Sequence, residues 1–172
     1  MEMNQEFVLG LVAQKDFDMD FGRRLKARGE QVCPFLLKIV NGEIDADTYM
    51  RKNAIAMLGT VGDETCVQTL LEMVEDERPE FRANAIRSLG RMGQADAADG
   101  LVQKLEQKGR SLTEGSLIVT ALGQLGAGET LPAIEGFRRR VAREKRGAAH
   151  LARQLAEIDG VLGELKGVKA DD

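Results

Sequence analysis

Apolar residues recur along much of the chain at i, i+3, i+7, the spacing of one helix face. Val67, Leu70 and Val74 form one such run, and Ala98, Leu101 and Leu105 a second. Leu131 and Ile134 begin a third, with Phe137 close to its expected place. Each run follows a six-residue string of one pattern: MLGTVG (57–62), SLGRMG (88–93) and ALGQLG (121–126). Their leading leucines, Leu58, Leu89 and Leu122, stand 31 and 33 residues apart. Each unit therefore reads as a helix ending at the LGxxG string, a short turn, and a second amphipathic helix. The first glycine (Gly59, Gly90, Gly123) removes a side chain one turn from the helix end, which lets a neighbouring helix approach. The second (Gly62, Gly93, Gly126) suits a left-handed stop. Pro79 fits the first turn of its helix, and Ser111 with Glu114 reads as a capping box.

One more step of 33 residues reaches Leu155 in QLAEID (154–159), where both glycines are lost. The same step backwards reaches Leu25 in RLKARG (24–29), which keeps the final glycine. The spacing predicts helix pairs over 15–41, 45–76, 79–108, 111–146 and 148–167, with residues 1–14 as a leading helix. A pair this small cannot bury its stripe alone, so the pairs must stack. The predicted fold is all-α: a right-handed α-solenoid of about five stacked antiparallel helix pairs. It forms a single domain over 1–172, with a degenerate cap over 1–44, three clear repeats over 45–146, and a degenerate cap and tail over 147–172.

The agreement extends upstream of the glycines, where RKNAI (51–55) matches RANAI (82–86). The R-x-x-A-x-x-x-L-G-x-h-G string at Arg51–Gly62 and Arg82–Gly93 resembles the short bacterial HEAT-like repeat first noted in phycobilin lyase subunits. The resemblance covers about 45–160. It implies that an Asp before the first helix pairs with the Arg of the next turn, and Asp45/Arg51 and Asp76/Arg82 both keep that offset. The third copy has Gly115 where the Arg should stand, so the ladder is expected to stop there. Tetratricopeptide and ankyrin patterns fit worse, since their Trp/Tyr and T-P-L-H-x-A marks are missing.

Composition narrows the function. Of 172 residues, 30% are charged and 43% hydrophobic, with a formal net charge of −4, which argues for a globular chain and against a dedicated nucleic-acid binder. Aromatics are 4% and Trp is absent, so stacking platforms lack material. A single His excludes a multi-His metal site. The start, MEMNQEFVLGLVAQ, carries acid where a secretory signal carries base, and no apolar run is long enough for a bilayer span. With only Cys33 and Cys66, the expected compartment is the cytoplasm.

Candidate chemistry is thin. GQLGAGET (123–130) imitates a phosphate-binding loop, but Glu129 stands where Lys must be. His150 has neither Cys nor another His beside it, and the carboxylate pairs Asp96/Asp99 and Glu72/Glu75 read as solvated helix faces. Cys33 and Cys66 lie one repeat apart, so stacking should hold them a helix spacing of about 8–10 Å apart as free thiols in the core. Charge is distributed more tellingly. Residues 63–80 hold seven acids against Arg78, whereas 137–147 hold six bases against Glu144. Arg23, Arg24, Lys26 and Arg28 form a second basic cluster.

These features predict a non-enzymatic interaction scaffold that binds another protein along its second-helix face, with no cofactor, metal, membrane or small-molecule substrate. Projection of the repeat puts Gln68, Glu72, Asp99, Gln103, Arg139 and Arg143 on that face. The alternatives are nucleic-acid contact through the basic 138–146 helix and a lyase-type accessory subunit. As a core leucine of a central repeat, Leu89 should cost roughly 2–5 kcal/mol when changed to Ala, and Leu25→Ala, in an end copy, visibly less. Denaturant melts of the two variants measure the difference.

Overall fold

The computed structural model describes residues 4–14, 25–26, 28–144 and 148–170. These are almost entirely helical, with no strand among them. A leading helix α1 (Gln5–Val12) is followed by α2 (Gly29–Asn41). Six helices come next, two to each repeat: α3 (Thr48–Val61) and α4 (Val67–Met73), α5 (Pro79–Met92) and α6 (Asp96–Glu106), and α7 (Leu112–Leu125) and α8 (Leu131–Ala142). Short 3₁₀ turns at Glu64–Cys66 and Gly128–Thr130 lead into α4 and α8. The chain closes with α9 (Ala148–Ala170). Residues 15–24, the front of the first expected pair, lie outside the described residues.

Local chemistry accounts for most of the boundaries. Asn4, Asp47 and Ser111 each accept a backbone N–H from three residues on, at 2.9, 2.7 and 3.2 Å. Pro79 opens α5. Gly93 and Gly126 end α5 and α7 in the left-handed region, at φ +70 and +66. Gly62 does not: its backbone is extended, at φ −67 and ψ 155. Space explains the glycine there, because a Cβ would lie 2.3 Å from the Leu58 carbonyl oxygen and 3.2 Å from the Met92 methyl carbon. The closing helix departs from expectation as well. Residues 148–167 lie within one 23-residue helix rather than a pair, because the copy around Leu155 has Ala156 and Asp159 where the string's two glycines stand.

The chain divides into two compact units, Met1–Gln94 and Ala95–Asp172. In the first, α3 packs chiefly on α5, the first helices of successive repeats. Their backbones come close where Gly59 faces Ser88, and a Cβ on Gly59 would sit 2.6 Å from the Ser88 Cα. The Ser88 hydroxyl donates to the Ile55 carbonyl at 2.8 Å, so this buried polar side chain is satisfied. Ile55, Leu58, Ile86 and Leu89 fill the space around it and are fully buried. Asn53 donates to the Val12 carbonyl at 2.8 Å, tying α3 to the end of α1.

In the second unit, α7 packs on α6 and α9, and α8 on α6 and α9. Gly115, the position that breaks the Arg ladder, has the Phe137 ring where its Cβ would be, at 2.3 Å. Phe137 thus replaces the ladder with an aromatic plug. Gly123 meets Val161 of α9 in the same way, at 2.9 Å. The stripe that α9 buries is Gln154, Ile158, Leu162 and Leu165.

Gly59→Ala should lower stability by roughly 1–3 kcal/mol, because the added methyl must push Ser88 away. Gly160→Ala, in α9 with nothing near its Cβ, should gain about 0.5–1 kcal/mol from helix propensity. Chemical melts of both single variants measure the opposite signs.

Candidate functional site

The second helices carry the predicted binding residues. Gln68 and Glu72 are exposed on α4, one turn apart, and Gln68 Nε2 donates to Glu72 Oε1 at 3.0 Å. In the second unit, Asp99 and Gln103 are exposed on α6, and Arg139 is exposed on α8. Arg143 is exposed just past the end of α8, where its N–H caps the helix through the Arg140 and Val141 carbonyls. The first pair lies in one unit and the other four in the second.

Side-chain geometry sorts the basic run into two kinds of arginine. Arg138 forms a two-pronged ion pair with Asp159 of α9, its Nη2 at 3.0 Å from Oδ2. The hydrogen bond from Arg138 holds the Asp159 carboxyl below its ordinary range. Arg140 turns inward, its guanidinium 4.8 Å from the centre of the Phe137 ring and Nη2 donating to the Leu105 carbonyl at 3.4 Å. Arg139 and Arg143 remain exposed, one helical turn apart. Lys145 and Arg146 lie outside the described residues, as do Arg23 and Arg24 of the other basic cluster.

A cleft of about 500 Å³ opens between α8 and α9, lined by Glu135, Arg138, Arg139, Asp159, Leu162 and Lys166. Lys166 crosses it to Glu135 at 3.0 Å, and that contact, with help from Arg139, lowers the Glu135 carboxyl. The two ion pairs cross-link α8 to α9, and being exposed they contribute little to stability. Sequence reasoning missed them because the end copy was read as a helix pair. The spacing of Asp159 and Lys166, seven residues apart, was the available signal.

The acidic run is partly consumed by structure. Asp63 caps the 3₁₀ turn by accepting from the Thr65 N–H at 2.9 Å. Asp76 grips Arg78 through both oxygens, at 2.8 and 2.9 Å, and Arg78 is the main cause of its lowered pKa; Arg51 of the preceding copy adds a smaller pull. Arg82 donates to the Asp76 and Glu77 carbonyl oxygens at 2.8 and 3.1 Å, so this rung of the ladder includes backbone bonds. Glu64, Glu72, Glu77 and Glu80 are exposed.

The remaining candidates take ordinary places. GQLGAGET spans the end of α7, the left-handed Gly126 and the second 3₁₀ turn, so a helix stands where a phosphate loop has a strand. His150 is exposed on α9 beside a cleft of about 230 Å³ that Ser116, Thr120, Arg153 and Gln154 also line. Among the described residues, no group of three or more His, Cys, Asp or Glu is placed to hold a metal ion. Cys33 and Cys66 are free and buried. They are not held apart as expected: each thiol is the largest influence on the other's proton affinity.

Residues 33–116 match the HEAT repeats family. The chain is a HEAT-like repeat protein. Among solved structures, this HEAT-like protein is similar to the complex of CpcE and CpcF of phycocyanin lyase from Nostoc sp. PCC7120, with a TM-score of 0.56 and 22% identity. That likeness covers 96% of this chain and 69% of the other, and it establishes the all-α, solenoid-type HEAT fold. No curated protein matches the sequence. The family match ends at the residue after Gly115, where Phe137 replaces the ladder arginine. No described helix is long and apolar enough to cross a membrane.

Arg140→Glu should destabilise the HEAT-like repeat protein by about 1–3 kcal/mol, since it breaks the ring and carbonyl contacts and half-buries a carboxylate. Arg139→Glu should stay within about 0.5 kcal/mol of the parent. Thermal melts of the two variants measure the contrast.

Proposed function

We propose a non-enzymatic adaptor that docks another protein along its second helices, within the class of repeat scaffolds and lyase-type accessory subunits that the HEAT-like fold and the likeness to a phycocyanin lyase complex support. Arg139 and Arg143 contact an acidic patch of the partner, while Gln68, Glu72, Asp99 and Gln103 supply polar contacts. The observation that carries this reading is the division of the basic run. Arg138 and Arg140 are committed to Asp159 and to Phe137 and Leu105, whereas Arg139 and Arg143 project one turn apart from a second helix. Exposed charges add little to folding, so such a pair is suited to steering association.

The accessory-subunit reading is a special case of the same docking and is favoured by the likeness to a phycocyanin lyase complex. Nucleic-acid contact is weakened, because two of the arginines that suggested it are already bonded within the protein. We place the protein in the cytoplasm, where two unbridged cysteines are at home.

The test uses the partner recovered from the native host with the intact chain. Arg139→Glu with Arg143→Glu should leave the melting midpoint nearly unchanged and slow association, more so at low salt. Arg153→Glu, an exposed reversal on α9, is the control. Equal losses from control and test would overturn the face assignment. A steep salt dependence of binding to duplex DNA by the parent would favour nucleic acid instead.

A further inference from the structure

Cys33 and Cys66 occupy corresponding positions near the starts of successive second helices, and both are buried within the first unit. The Cys33 thiol donates to the Val61 carbonyl at 3.3 Å, and the Cys66 thiol donates to Asp63 Oδ1 at 3.9 Å. Both sulfurs therefore hang on one three-residue turn, Val61 to Asp63, that links α3 to the 3₁₀ turn. Each thiol is also the largest influence on the other, holding the proton on Cys33 and lowering the pKa of Cys66. Two small core residues need no such pairing. A nucleophilic thiol beside a second thiol that can resolve it is the minimum a dithiol couple requires.

Access favours a small reagent. A cleft of about 400 Å³ lies against this turn, with Val61 and Asp63 themselves in its wall and Lys26 and Arg28 beside them. Cys33 and Cys66 are themselves buried, 3% and 0% exposed, where a bulky protein disulfide cannot reach. A hydroperoxide is close to water in size.

We propose that Cys33 and Cys66 are a peroxide-oxidisable dithiol that closes to an intramolecular disulfide, joining α2 to the turn ahead of α4. The Cys66 thiolate attacks one oxygen of hydrogen peroxide; the O–O bond breaks and the departing hydroxide takes up a proton, leaving as water. Cys66 is then a sulfenic acid. The Cys33 sulfur attacks the Cys66 sulfur, the S–O bond breaks, and the hydroxyl leaves as a second water with the Cys33 proton. One peroxide is reduced to two waters while two thiols become one disulfide. A dithiol reductant reverses the step by exchange.

The intact chain is treated with hydrogen peroxide, quenched with a maleimide, and read by intact mass and peptide mapping. Both thiols should disappear together, the monomer should lose two hydrogens, and one cross-linked peptide pair should join Cys33 to Cys66. Dithiothreitol should restore both thiols. In Cys33→Ala, Cys66 has no resolving partner and should accumulate as a dimedone-trapped sulfenic acid. Three results on the unmodified protein would overturn the proposal, whatever the variant does: oxidation no faster than in the urea-unfolded chain, oxidation to sulfinic acid without a bridge, or bridging only between molecules.

Discussion

The close approach of successive first helices is the constraint on which the first unit depends. At Gly59 the backbone of α3 lies against Ser88 of α5, with no room for even one methyl carbon between them. Approach this close requires a residue without a side chain on one helix and a small, hydrogen-bonded one on the other. Ser88 meets the second demand by donating to Ile55. With the first helices set at that distance, the leucines and isoleucines that flank the glycine can be fully buried. The second unit solves the same problem differently, with Phe137 filling the place of a side chain at Gly115 and Val161 pressed onto Gly123.

The charged residues of the second helices are sorted by register. Four arginines fall within the six residues 138–143, at and just past the end of α8. Arg138 reaches α9, Arg140 folds over Phe137 toward α6, and Arg139 and Arg143 face water. The count of positive charges in the sequence therefore overstates what a partner could meet. The acidic run behaves alike, because Asp63 and Asp76 are spent on a cap and on Arg78. What the two runs offer a partner is set by which side chains the helices leave uncommitted.

The repeat made much of this legible. Its period located α3 to α8 and the close approaches at Gly59 and Gly123, and it put the six proposed contact residues at exposed positions, five on helices and Arg143 just past the end of α8. Three features escaped it, each for a physical reason. Gly62 was read as a left-handed stop, but the pattern cannot distinguish a glycine needed for its backbone from one needed for its missing Cβ. The closing helix reads from the sequence as a pair, because counting in steps of 33 assumes a stop that Ala156 and Asp159, in place of the string's glycines, do not supply. The repeat gives the two cysteines a helix-to-helix spacing, yet both thiols bond to the one turn between Val61 and Asp63. Spacing along a chain fixes where helices start and not where short side chains at their ends point.

Hydrogen exchange of the intact protein, free and bound to its partner from the native host, tests the docking claim most directly. Protection gained on binding should concentrate in α4, α6 and α8, while α3, α5 and α7 exchange as they do in the free protein. Protection confined to the first helices, or to α9, would contradict it.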